Sequence, residues 1–156
     1  MATWSQLTFD PSPETLAALR KHWAWKLGED WSPILFSVIG DVFIELPAGS
    51  VWWLSTSTGA LEQVASQRDE FIRMLETDRA DEWFLPGLVD VLHEHGKVPG
   101  PDQCYSYAVF PVFAEGGYAA ENMTPVAAVE YFGLSGDVHR QIQGLPDGSE
   151  VQIRFA

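Results

Sequence analysis

Apolar and polar residues change period several times along the chain, and each change marks an element. Leu16, Leu19 and Trp23 recur at helical spacing behind Ser12-Pro13-Glu14. Ser12 is suited to cap that helix, Pro13 to its first position and Glu14 to the positive end of its dipole. Gly28 is the expected stop. From Ile34 to Val64 the period falls to two. Ile34–Ile39, Val42–Leu46, Val51–Ser55 and Ala60–Val64 read as strands, separated by Gly40, by Pro47-Ala48-Gly49-Ser50 and by Thr56-Ser57-Thr58-Gly59. Turns this short imply antiparallel pairing, hence a β-meander.

Helical spacing returns at Ser66–Thr77, with Ser66 as the expected cap and Phe71, Met74 and Leu75 as the apolar stripe. Pro86–His95 reads as a second helix with Leu88, Val91, Leu92 and His95 on one face and Gly96 as its stop. Lys97–Asp102 is a loop and Gln103–Phe113 is strand-like. Thr124-Pro125 reads as the opening of a third major helical region, with an inner stripe of Tyr131, Leu134, Val138 and Ile142 that Gly133 and Gly136 bend or split. Val151, Ile153 and Phe155 alternate with polar residues and predict a last strand that closes the sheet. The pattern therefore predicts an α+β fold in one domain over residues 1–156, an antiparallel meander sheet packed against several helices. Residues 1–30 form its N-terminal helical region and 34–155 its core.

Composition supports a packed core, since 46% of the 156 residues are apolar and seven are Trp. No apolar run approaches the roughly 20 residues that cross a bilayer. The N-terminus lacks the basic and apolar regions of a signal peptide, and the single cysteine, Cys104, has no internal disulfide partner, so a cytoplasmic location is expected. Charge changes the picture more. There are 22 acids against 9 bases, a net charge of −13. The excess is spread out: −4 over residues 1–65, −5 over 66–102 and −4 over 103–156. No Lys or Arg occurs between Val98 and His139. Such a surface repels nucleic acid and anionic membrane and attracts basic partners.

Candidate chemistry is sparse. Asp90, His93 and His95 suggest a metal cluster, but on a helix positions 93 and 95 diverge by about 200°. His95 falls on the apolar face and His93 on the polar one. Cys104 with His139 as base would make a nucleophilic pair, yet Cys104 lies in a run that reads as a buried strand. Asp78, Asp81 and Glu82 lie between two helices, where capping Pro86's helix or facing solvent outweighs acid–base work. No phosphate loop or nucleophile elbow is present. Trp52 and Trp53 must face opposite sides of their strand. No catalytic residue, metal or cofactor is expected.

The ordered series Gly40-Asp41-Val42-Phe43, Val51-Trp52-Trp53-Leu54 with Thr56, Thr58 and Gly59, Glu82-Trp83-Phe84-Leu85, Gly100-Pro101 with Gln103-Cys104-Tyr105, Glu121-Asn122, and Gly136-Asp137 with His139-Arg140-Gln141-Ile142 resembles one bacterial family. It is similar to the immunity proteins paired with DNase effectors of the type VI secretion system. Their C-terminal domain, long of unknown function, is often joined to a GAD-like N-terminal portion. The resemblance runs from about Ile34 to Phe155. It implies a cognate-specific, non-enzymatic inhibitor that binds a nuclease toxin and occludes its active or substrate-binding surface. A scaffold or regulatory module of the same fold, binding a housekeeping protein, is the alternative, and a hydrolase is a more distant one. The expected partner contacts are Asp69, Glu70, Asp78, Asp81 and Glu82, then Asp102 and Glu115 in loops of or beside the base-free stretch.

Overall fold

The computed structural model describes residues 2–153. Strands β1 (Ser32–Phe36), β2 (Val42–Glu45), β3 (Val51–Ser55) and β4 (Ala60–Ala65) form an antiparallel sheet in sequence order, as the period-two pattern predicts. Register places Phe43 opposite Trp53 and Trp53 opposite Glu62, so these three share one face. Val42, Leu54 and Leu61 share the other. Gly40 and Gly59 make the tight connections, both at positive φ (99° and 81°). A Cβ on Gly40 would sit 2.5 Å from the Tyr131 ring, and one on Gly59 would sit 2.7 Å from His139 Nδ1. Glycine is required at both positions for conformation and for room.

Helices cover both faces. In chain order they are α1 (Trp4–Leu7), α2 (Pro13–His22), α3 (Ala24–Leu27), α4 (Arg68–Met74), α5 (Arg79–Phe84), α6 (Pro86–Glu94) and α7 (Ala128–Ile142). On the first face the fully buried Phe43 ring lies 4.9 Å from Phe71 of α4, and 5.1 and 5.6 Å from Trp83 and Phe84 of α5. On the second, Phe36 meets Phe132 of α7 at 6.1 Å. Each large apolar side chain so buried contributes about 1.5–3 kcal/mol. α2 starts as its sequence predicts, with Ser12 Oγ accepting from Thr15 N at 3.2 Å and Pro13 in the first turn. Gly28 ends α3 at φ 68°. α2 and α7 touch closely because Gly136 has no side chain: a Cβ there would lie 2.5 Å from the His22 carbonyl oxygen. Trp23 and Trp25 close this contact, donating to Ser135 Oγ (3.3 Å) and to the Gly136 carbonyl (3.2 Å).

Several expectations need correction. Thr124-Pro125 opens no helix. Both residues lie in β6 (Met123–Ala127), which pairs antiparallel with β5 (Gln103–Tyr107) in a separate two-stranded sheet. Proline is tolerated because a two-stranded ribbon leaves every strand an open edge. α7 begins only at Ala128 and runs unbroken through Gly133 and Gly136. α5 was not anticipated, so Asp81 and Glu82 belong to a helix and not to a linker; Asp78 stands at its N-cap and makes no capping bond. Ser66 is not the cap of α4, which is Gln67; instead Ser66 N and Oγ both donate to Glu70 Oε2, at 3.2 and 2.7 Å. On α6 the buried positions are Val89 and Leu92, while His95 is exposed and Val91 is 40% exposed. Val151–Ile153 form no strand, and Phe155 lies outside the described residues.

Candidate functional site

A cleft of about 760 Å³ opens between the first face of the main sheet and the α5–α6 junction. That is the size of a site able to hold a side chain or a small molecule. The sheet supplies Trp53, Ser55, Ala60 and Glu62, and the loop before β2 supplies Ile39 and Asp41. The helical wall runs from Asp81 to Leu88 and includes Trp83, and Tyr118 closes one side. Trp53 packs on the fully buried Trp83 with ring centroids 6.5 Å apart and planes at 53°. Four carboxylates line the cleft, those of Asp41, Glu62, Asp81 and Glu82, and no Lys, Arg or His does.

Asp41 is the unusual member. It follows Gly40 at the turn into β2 and is only 4% exposed. Its carboxylate accepts from Trp53 Nε1 at 3.0 Å and from Thr56 N at 3.3 Å. Burial pushes the carboxyl up to about 7, against the downward pull of the Trp53 and Thr56 bonds. The hydroxyls around it are chained. Thr56 Oγ1 lies 2.8 Å from both the Gly40 carbonyl and Tyr131 OH, so it donates to the former and accepts from the latter. Ser57 Oγ meets Tyr118 OH at 2.5 Å. Burial drives the Tyr131 and Tyr107 hydroxyls far above the usual phenol range and raises Tyr118 as well. These groups hold the β3–β4 hairpin and Tyr118 in place as neutral donors and acceptors.

The residues expected from sequence are spread over several places. Asp81 and Glu82 reach the cleft, with Glu82 also 3.9 Å from Arg79. Asp69 and Glu70 stand in the first turn of α4, and Glu70 is held below the usual carboxylate range by the Ser66 bonds. Asp78 faces a shallower groove beside α1 with Trp4, and Glu115 is exposed in a loop. Asp102 does structural work. Its carboxylate accepts from Ser12 N (3.2 Å) and Thr15 Oγ1 (2.8 Å), clamping the start of α2 to the loop before β5. Trp53 lies against the cleft while Trp52 faces the other side of the sheet and bonds Ser50 Oγ at 3.0 Å. Sequence reading passed over Asp41, Glu62, Trp83 and Tyr118 as site residues. One signal was available for Asp41, a lone acid after glycine inside the apolar run Val38–Ile44.

Cys104 is sealed in the core and burial holds its thiol protonated far above the normal range, so it is no ready nucleophile. His139 is 3% exposed, tilted against Trp23 and edge-on to Phe110, and burial lowers its affinity for a proton. Among the described residues no group of three or more His, Cys, Asp and Glu is placed to hold a metal ion. No helix among them is long and apolar enough to cross a membrane.

Residues 65–139 match the sequence model of the family described as T6SS immunity protein Tdi1, C-terminal. Over that segment the chain is similar to the type VI secretion immunity proteins. The matched segment holds α4, α5, α6, β5, β6 and most of α7, hence the helical wall of the cleft and Tyr118. The sheet wall, with Asp41, Trp53 and Glu62, lies before it. No curated protein matches the chain in sequence.

Proposed function

We propose that this chain is an immunity protein that neutralises a nuclease delivered by the type VI system, by binding the toxin and covering its active or substrate-binding surface. It would act in the cytoplasm of the producing cell, with no catalytic chemistry of its own. The observation that carries the reading is the cleft: four carboxylates line it and no base does. A nuclease holds phosphate through Lys and Arg, so its substrate surface complements such an acidic site. The net charge of −13 adds long-range attraction and a fast encounter. Ion pairs use little of the acid, since those among the described residues involve only Glu45, Glu82 and Asp137.

The test is to purify the toxin encoded beside this gene, measure its cleavage of plasmid DNA, and add the immunity protein stoichiometrically. The reading expects cleavage to stop at one equivalent. It also expects the association rate to fall steeply between about 50 and 500 mM salt, as the Debye length shrinks. A toxin that leaves nucleic acid intact, or one that still cuts inside a stable complex, would refute the nuclease-occlusion reading.

A further inference from the structure

The cleft has three properties that together select an occupant. Its electrostatics are one-signed, with Asp41 at its buried end and Glu62 and Asp81 exposed at its rim. Its accessible wall is aromatic, the half-buried indole of Trp53, which packs on the fully buried Trp83 at 6.5 Å between ring centroids. Behind that wall a donor is short of a hydrogen-bond partner, because the Trp83 indole N–H is buried and makes no bond among the described residues.

A small inorganic cation would satisfy the charge but would gain little from the indole face of Trp53. An ammonium is strongly hydrated and loses that water on entering. A guanidinium is planar and weakly hydrated, stacks on aromatic faces and bonds two carboxylate oxygens at once. The fold already uses this pairing nearby. Arg79's guanidinium carbon lies 5.3 Å from the Trp83 ring centroid, with Glu82 at 3.9 Å. Asp41 retains accepting capacity, since Trp53 and Thr56 supply two donors and a carboxylate has about four lone-pair sites. A peptide segment bearing arginine also brings backbone carbonyls as acceptors for an indole N–H.

We infer that the cleft is a receptor for an arginine side chain of the toxin, received against the Trp53 indole and neutralised by Glu62 and Asp81, with Asp41 at the buried end. This rests on the toxin-binding reading above and names the partner chemistry of the same site. It also supplies a mode of inhibition: an arginine held here is withdrawn from phosphate.

Two measurements test it. The free protein is titrated with N-acetyl-arginine amide while the indole N–H resonances are followed by NMR. Saturable shifts of the Trp53 and Trp83 signals are expected, at least about tenfold weaker for the uncharged citrulline analogue and for Asp41→Asn. Equal response to both probes, or none, overturns the inference whatever the toxin does. In the complex, the double variant Glu62→Lys/Asp81→Lys is expected to raise Kd by about 100-fold, while Glu14→Lys and Glu130→Lys on α2 and α7 leave it within about threefold. Melting curves confirm that all four proteins fold. An unchanged Kd for the rim variant overturns the inference and leaves the toxin-binding reading standing. Failure of the unmodified protein to form any complex removes that reading, and the arginine titration still decides the cleft.

Discussion

The β3–β4 hairpin presents two faces built from alternate residues of the same strands, and they have opposite fates. Leu54 and Leu61 point to the face that carries the Phe36–Phe132 contact, where Leu54 is fully buried and Leu61 packs against the core. Trp53 and Glu62, one position away, point toward α5 and α6, where the helices stand off and leave the acid-lined cleft. One sheet thus serves as core on one side and as the wall of a site on the other. The pleat is what allows it, because successive side chains are sorted to opposite faces at no cost in backbone geometry.

The contrast can be broken from the core side first. Leu54→Ala should destabilise the protein by about 2–5 kcal/mol, read by urea denaturation, and change arginine-probe binding little in the protein that remains folded. A smaller effect would show that the covered face can collapse around a void.

Asp41 sits between the two faces and gives the next largest effect. Its folded pKa, about 7, lies above its ordinary value of 3.8, so the folded state keeps the proton over that interval while the unfolded chain releases it. Stability must therefore fall as pH rises from about 4 through 7. Between pH 5 and 8 the unmodified protein should lose about 2–3 kcal/mol relative to Asp41→Asn, at 1.36 kcal/mol per pH unit over the titrating range. His139 contributes the opposite sign, because its lowered pKa costs stability on acidification, but it is common to both proteins and cancels. Parallel pH profiles for the two proteins would show that the Asp41 carboxyl is already solvated.

Gly136→Ala comes third. Its new methyl meets the His22 carbonyl, and overpacking of this kind costs about 1–3 kcal/mol, measured by thermal melting. The α2–α7 contact is then a fixed joint; no loss would make it a sliding one. Glu62→Lys is the smallest. The side chain is exposed, so stability should stay within about 0.5 kcal/mol while toxin binding falls. Equal losses in both would mean that the cleft wall is structural.

The meander was legible because its turns are spelled out in Gly, Pro, Ser and Thr and its strands alternate. α2 was legible because Ser12-Pro13-Glu14 carries cap, first turn and dipole together. β6 was not, since Thr124-Pro125 is equally a helix start, and only pairing with Tyr105 and Ser106 decides for strand. α5 is one and a half turns long, too short for a period to declare itself. Among the candidate contacts, Asp81 and Glu82 were picked from acid density alone and reach the cleft, whereas Asp102 was picked by the same rule and proves to clamp α2.

Charge, the antiparallel meander and the order of motifs along the chain were thus determined by sequence alone, because composition and alternation are local properties. The site was decided by tertiary structure. Asp41 and Asp81 are 40 positions apart. They share a cleft only because strand register fixes one wall and the docking of α5 through Trp83 on Phe43 fixes the other. Burial, which sets both the proton affinity of Asp41 and the value of a charge beside it, exists only once those walls have met.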